Sequence, residues 1–472
     1  MENSNYSYKL KTIAKDLGEY IKVIDDKKSL IKFVLSKAKE KRLTILLIND
    51  CYYIKNENPK VVLHLNISDK INSSSFINVK EDEDFSFETN LNPTEISGIL
   101  NICLLLEESV GNFDILLTNN YMSDYNRDFS ILRSVLRSKN IINLNLNESD
   151  CIAESFASHT ISTAEIPIKR IEINEEEYLQ ENCIYRIGLG NLIGNDYSND
   201  INNFLKNTIK VLITFIRKIK SKVDLDIINV EGNGKNEKMP SYSFVDLACK
   251  KDFENDLLNI FNLFVSEYLS KNLRLEPNFK FDINKIDSLK FYPMTKESYE
   301  HISSFVELSL NGTYSVDSNT KTTIASSVLT KARTSSYKLN AVMIFRSLSE
   351  DSLKQMLEKT KLAADINGGE FKNRLSIPSW QNKNDFLVKV FNDAYDQLFK
   401  SKLKIIKTQY SLDCNVIFYK FDVNMISIGV KYKQVDMKTS ASDFKDILKT
   451  FSLLKDVLFK LDKNMEWKWQ KN

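Results

Sequence analysis

The sequence predicts an α/β protein, and three observations predict it. Val61, Val62, Leu63 and Leu65 make a short apolar run rich in β-branched residues, bounded by polar clusters. A strand of a parallel sheet reads this way, because helices cover both of its faces. Phe113–Thr118 repeats the pattern after Pro93–Glu107, where Ile99, Leu100, Cys103 and Leu104 share one helical face. Finally, 472 residues exceed one ordinary domain and imply two or three. Ligands of open α/β sheets sit beyond the carboxyl ends of the strands, which directs attention to Asn66, Ile67 and Ser68.

The composition narrows the class. A hydrophobic fraction of 42% is enough for real cores, and 27% charge suits a solvated surface. Lys+Arg 65 against Asp+Glu 63 leaves +2, so there is no electrostatic case for nucleic acid. Glycine is scarce, 12 in 472 residues, so the chain has few places for unusual backbone angles or close ligand approach. The six cysteines, Cys51, Cys103, Cys151, Cys183, Cys249 and Cys414, are scattered without a Cys-x-x-Cys pair. They read as reduced, mostly buried thiols of a cytoplasmic protein. The start, MENSNYSYKLK, has no apolar core of a signal peptide, and no run approaches 18 apolar residues, so no membrane segment is expected. His64, His159 and His301 are isolated from one another and read as structural histidines, His64 as a hydrogen-bonded one in or beside the core.

Taken in order, residues 7–41 read as helices, with Leu10, Ile13, Leu17 and Ile21, then Leu30, Phe33, Val34 and Ala38, at three- and four-residue steps. Thr44–Ile48 and Cys51–Ile54 read as a strand pair, and Asn72–Glu88 as loop. Thr94 is placed to cap the helix that follows it. Asp128–Ser138 reads as a helix and Ile141–Asn147 as a strand. From about Ala164 the pattern changes: strands at Ile168–Ile173 and Asn182–Leu189, then a helix at Asn199–Lys220. A helix at Asp252–Asn272, strands near Leu273–Phe281, Thr323–Lys331 and Lys338–Arg346, and a helix at Glu350–Ala364 follow. The chain closes with a helix at Asp385–Lys400, a strand at Met425–Gly429 and a helix at Ser440–Lys460.

Several stretches carry a resemblance. These are the strand ending in Asn66-Ile67-Ser68, Leu91-Asn92-Pro93-Thr94-Glu95, Thr118-Asn119-Asn120-Tyr121-Met122 and Asn143-Leu144-Asn145. Gly188-Leu189-Gly190, Ile377-Pro378-Ser379-Trp380 and Met425-Ile426-Ser427-Ile428-Gly429 complete the set. In order and spacing the chain resembles the aminoacyl-histidine (Xaa-His) dipeptidases among the two-domain zinc metallopeptidases. The resemblance implies a mixed-sheet zinc-peptidase-like catalytic domain, residues 1–165 and 377–472, with an inserted α+β lid domain of two halves, residues 166–376.

It also implies where metal and base should be, and the letters differ there. Asn66 and Ser68 stand for a His-x-Asp pair of ligands, Thr94 for a bridging Asp, and Tyr121 and Met122 for a Glu pair that supplies base and ligand. Asn145 stands for a ligand Asp and Asp436 for the last ligand His, while the lid histidine has become Leu192 or Ile193. Zinc takes imidazole, thiolate or carboxylate, and neither a phenol nor a thioether can act as base near neutral pH. The reading is therefore a catalytically inactive relative, without metal or cofactor, kept as a binding, scaffold or assembly subunit with a protein partner or a second copy of itself. Two alternatives stay open. One is an active hydrolase with a relocated carboxylate site built from Glu95, Glu148, Asp150 and Asp436, suited to Mg²⁺ or Mn²⁺. The other is a sensor of small peptides or amino acids using the interdomain cleft and Arg346, which otherwise serves a structural ion pair.

Overall fold

The computed structural model describes the chain apart from residues 1, 24–27, 68–70, 81–85, 120–129, 192–206, 235–238, 273–278, 383, 410–414, 416–420, 437–438 and 470–472, and the side chains of 2–4 and 464–469. Two compact units are present, Met1–Phe156 with Trp380–Asn472, and Ala157–Ser379. The junctions fall at 156/157 and 379/380, where the sequence suggested 165/166 and 376/377.

The first unit begins with α1 (Glu2–Val23), α2 (Ser29–Glu40), the hairpin β1 (Thr44–Ile48) and β2 (Cys51–Lys55), β3 (Val61–Asn66), β4 (Ile77–Val79) and β5 (Ser86–Thr89). Next come α3 (Pro93–Glu108), β6 (Phe113–Thr118), α4 (Ser130–Val135), β7 (Asn140–Leu146) and β8 (Cys151–Phe156). The second unit holds β9 (Ser158–Pro167), α5 (Glu175–Glu181), β10 (Asn182–Gly190), α6 (Thr208–Lys220), β11 (Asp226–Asn233), β12 (Tyr242–Lys250) and α7 (Glu254–Asn272). It continues through β13 (Lys280–Lys285), α8 (Lys296–Leu308), β14 (Gly312–Val316), β15 (Thr323–Thr334), β16 (Lys338–Ser347), α9 (Glu350–Ile366) and β17 (Glu370–Ile377). The chain then returns to the first unit with β18 (Trp380–Gln381), α10 (Phe386–Phe399), β19 (Lys404–Thr408), β20 (Asn424–Gly429), β21 (Lys433–Gln434), β22 (Ser440–Asp443) and the long α11 (Phe444–Trp469).

The main sheet of the first unit runs β1-β2-β6-β3-β7-β20-β8-β18, with β19 beside β8. Strands β6, β3, β7 and β20 are mutually parallel, so their carboxyl ends share one edge. Every residue of β3 and β6 is buried, as the apolar runs predicted, because α1, α2, α3, α10 and α11 bring Leu17, Leu30, Leu100, Phe391 and Phe451 into one core with them. Burying a side chain of this size is worth about 2 kcal/mol, so helical cover and strand composition explain each other.

The second unit is built on an antiparallel sheet, β13-β10-β12-β11-β15-β16-β9-β17, with β14 beside β15. Its main core joins alternate residues such as Ile187, Leu247 and Leu329 to Leu212, Phe215, Phe261, Phe305 and Met356 of α6–α9. Among the described residues no helix is long and apolar enough to cross a membrane.

Some local expectations give way. Asn72–Glu88 is not all loop: β4 and β5 form a small sheet with β21 and β22, anchored by fully buried Phe87. Strands of three and four residues are too short to register as alternation. The closing helix starts at Phe444, because Ser440–Asp443 is taken up by pairing with β5. Residues 168–173 are irregular apart from a bridge at Arg170, and the strand lies earlier, in β9, whose Ser, Thr and His residues hid it. Residues 199–206 and 273–278 of two expected elements lie outside the described residues.

One glycine fixes the junction of β7 and β20. A Cβ on Gly429 would lie 1.6 Å from the carbonyl oxygen of Leu146, its partner across a ladder irregularity. We expect Gly429→Ala to cost roughly 3 kcal/mol by forcing the strands apart. Gly368→Ala meets no atom closer than 4.0 Å at φ +68°, and should cost only the left-handed strain of about 1 kcal/mol. Urea unfolding of both variants checks the order, and equal losses would refute it.

Candidate functional site

The common edge of the parallel strands is where the fold places its chemistry. His64 and Asn66 alternate on β3, Asn143 and Asn145 alternate on β7, Thr118 ends β6 and Ser427 lies on β20. These six side chains form one hydrogen-bonded network. The Asn145 side chain pairs with the backbone of Asn66 twice: its Oδ1 accepts from the Asn66 N–H at 2.8 Å, and its Nδ2 donates to the Asn66 carbonyl at 2.8 Å. This extends the β3–β7 ladder beyond its last backbone pair, His64 with Asn143.

Backbone groups fix the rest of the network's direction. Asn143 Oδ1 accepts from the Asn145 N–H at 3.1 Å and from Ser427 Oγ at 2.5 Å. Its Nδ2 must therefore be the atom facing His64 Nδ1 at 2.9 Å and Asn145 Oδ1 at 3.0 Å. An amide nitrogen only donates, so Nδ1 of the neutral imidazole accepts and Nε2 carries the hydrogen. Nε2 then donates to Thr118 Oγ1 at 3.0 Å, and that hydroxyl donates to Asn66 Oδ1 at 3.0 Å. Asn66 Oδ1, Thr118 Oγ1, His64 Nδ1, Asn143 Oδ1 and Asn145 Oδ1 each accept a hydrogen bond from within the network, while Ser427 Oγ donates.

The electrostatics follow from burial. His64 is fully buried, and desolvation pulls its pKa down from 6.5 to about 3. Charging an imidazole away from water is costly, and among the described residues no carboxylate takes part in the network to offset that cost. The network is neutral at physiological pH. A zinc centre needs anionic or freely basic donors, and amide and hydroxyl oxygens already engaged as acceptors do not supply them. The described residues Asn66, Thr118, Asn143 and Asn145 therefore do not fit the zinc centre implied by the resemblance. Among the described residues no group of three or more His, Cys, Asp or Glu side chains could hold a metal ion.

The remaining candidates are dispersed. Ser68, Tyr121, Met122, Leu192 and Ile193 lie outside the described residues. Thr94 is buried at the second position of α3, but the cap is Asn92, whose side chain accepts from the Thr94 N–H at 3.1 Å. Pro93 takes the first helical position, and the cap falls two residues earlier than expected. Asn92 Nδ2 also reaches Glu95 Oε1 at 3.2 Å, placing that buried carboxylate in the first turn, where the helix dipole favours it. Glu148 lies 3.7 Å from Lys431, Asp150 holds Lys449 and the Tyr395 hydroxyl, and Asp436 is exposed in the β21–β22 turn, accepting from the Thr439 N–H at 2.8 Å. The four carboxylates of the relocated-site reading thus have separate local partners. Arg346 is half-buried on β16, opposite Ser326 and His159 in the ladder. Sequence reasoning missed Thr118, Asn143 and Ser427. The two-residue spacing of His64 with Asn66 and of Asn143 with Asn145 was the available signal, since it puts each pair on one face of a strand.

A parallel-stranded unit with its polar network at the strand ends, interrupted by an antiparallel unit, is the architecture of the two-domain peptidases. The chain is similar in structure to the aminoacylhistidine dipeptidase of Vibrio alginolyticus, with a TM-score of 0.71 and 14% identity over 95% of this chain and 96% of that one. A tripeptidase from Staphylococcus aureus matches with a TM-score of 0.55 and 10% identity, covering 96% of this chain and 99% of that one. The aminopeptidase PepT of Bacillus cereus gives 0.50 and 10% over the same shares. At these identities the likeness is one of fold. No protein-family model matches the sequence, and no curated protein matches it.

Two outcomes test the network. In the unfolded chain His64 takes up a proton near pH 6.5, whereas the folded protein resists until about pH 3. Its contribution to stability is complete above pH 6.5 and is lost as pH falls through that window, with a slope approaching about 1.4 kcal/mol per pH unit. Urea unfolding between pH 7 and 4 should show a shallower slope in His64→Gln, and identical slopes would contradict the assignment. Asn145→Asp sets a carboxylate oxygen against the Asn66 carbonyl and removes a donor. It should lose on the order of 2 kcal/mol, and a variant as stable as the parent would show that the pairing is dispensable.

Proposed function

We propose that this chain is a catalytically inactive protein of dipeptidase-like fold, acting as a binding, scaffold or assembly subunit for a protein partner or a second copy of itself. The observation that carries the reading is the neutral, mutually hydrogen-bonded network of His64, Asn66, Thr118, Asn143, Asn145 and Ser427 at the strand ends. Metal-assisted peptide hydrolysis needs a cation that polarises the carbonyl and a base whose pKa lies near the working pH. The one imidazole in the network has both nitrogens engaged, and burial leaves it too weakly basic for that role. Binding needs neither group. The fold supplies a large hydrophobic framework on which exposed elements can be presented to a partner, and fold alone does not impose the ancestral chemistry.

The test is elemental analysis of the purified protein after incubation with Zn²⁺ or Mn²⁺, together with assays on Xaa-His dipeptides and N-acyl amino acids. The expected result is metal well below one ion per chain and no turnover above the buffer rate. Stoichiometric metal accompanied by hydrolysis would overturn the proposal.

A further inference from the structure

The second unit carries a groove of about 400 Å³ on its helical side, lined by Lys210, Thr214, Lys218, Phe264, Tyr268 and Asn311 among others. That volume is in the range that small-molecule ligands occupy. Its aromatic side is held in place by neighbouring rings. Phe264 stacks on Phe215 at 3.9 Å between centroids and 18° between planes, and Tyr268 meets Phe279 edge-on at 5.0 Å.

Its polar side consists of donors. Lys210 gives hydrogen bonds to the carbonyls of Glu307, at 3.2 Å, and Ser309, at the C-terminal end of α8. Those two carbonyls leave one ammonium hydrogen unassigned. Burial pulls this lysine's pKa down to about 8, the behaviour of a cation short of counter-charge. Lys218 Nζ sits 5.4 Å from the centre of the Phe264 ring. Neither lysine forms an ion pair with a described residue: Glu307 and Glu267 act on Lys210 and Lys218 only at longer range and are paired with Arg217 and Lys271. Asn311 Oδ1 accepts from the Leu329 N–H at 3.2 Å and from Asn207 Nδ2 at 3.0 Å. This fixes the amide's orientation and leaves its Nδ2 donor without an acceptor among the described residues. Among the described residues no carboxylate lines the groove.

Cationic and amide donors beside a rigid aromatic wall select an anion with a flat apolar body. We propose that this groove is a binding site for a small aromatic carboxylate, the carboxylate meeting Lys210, Lys218 and Asn311 and the ring lying against Phe264 and Tyr268. It is separate from the strand-end network, and its test reads neither metal content nor turnover.

The test is calorimetric titration of the full chain with 3-phenylpropionate and with its neutral isostere 3-phenylpropionamide at pH 7. The expected result is saturable one-to-one binding of the carboxylate, about ten-fold or more tighter than the amide. Lys218→Glu should weaken it by a similar factor. Thr214→Trp, which fills the groove from an exposed helical position, should abolish it while leaving the melting temperature close to that of the parent. Absent saturable heat, equal affinity for the amide, or parental affinity in both variants would overturn the proposal.

Discussion

The double hydrogen bond between the Asn145 side chain and the Asn66 backbone is the constraint on which the strand-end region depends. An amide presents a donor and an acceptor in the same plane, spaced as a backbone peptide presents them, so it continues a β-ladder where the backbone has stopped pairing. A carboxylate has two acceptors and no donor at neutral pH, and cannot do this. Once Asn145 is locked in place, its N–H fixes the orientation of Asn143. That amide fixes the tautomer of His64, and the imidazole orders Thr118 and Asn66. Strand closure and metal ligation thus compete for the same positions, and in this chain closure has won.

The energetics make that outcome self-consistent. Several carboxylates gathered at a half-buried strand edge repel one another and lose hydration, a cost that a divalent cation offsets when bound. Neutral amides and hydroxyls at the same positions carry no such cost and satisfy one another, which is how buried polar groups persist in folded proteins. A partial set of ligands would retain the repulsion without the ion, so the neutral set is the stable end point. Fully buried His64 belongs to this logic: it serves as a hydrogen-bond relay held in its neutral form, and its pKa follows from burial alone.

Much of the fold was legible because burial leaves a compositional trace. The apolar runs at Val61–Leu65 and Phe113–Leu117 are buried on both faces, and the three- and four-residue periods of α1, α2 and α3 match their packing in the first core. What escaped was structure whose signal is not apolar. Strand β9, Ser158–Pro167, is paired on both sides in its sheet yet carries Ser158, His159, Thr160, Ser162 and Thr163, all of them buried. Strands β4, β5 and β22 are too short for a period to show. The site was half legible: the positions of Asn66 and Asn145 at strand ends follow from the carboxyl-edge rule. Their partners Thr118, Asn143 and Ser427 required the register of three parallel strands, which a sequence without its pairing does not contain. Thr94 shows the same limit locally, since Asn92 and Thr94 are both acceptable caps and Pro93 decides between them.

The two units also differ in how their polar groups are satisfied, and that difference bears on where recognition can occur. At the strand ends of the first unit, most acceptors already hold hydrogen bonds from within the network, so an incoming cation would compete with those existing bonds. In the groove of the second unit the balance is reversed. Donors outnumber acceptors there, with Asn311 Nδ2 lacking an acceptor among the described residues and the ammonium groups of Lys210 and Lys218 in no ion pair with a described carboxylate. Water can satisfy such donors, but an anion does so with charge as well, and the neighbouring rings reward displacement of that water by an apolar body. Capacity for binding lies where donors remain in excess, and in this chain that excess lies on the helices of the second unit.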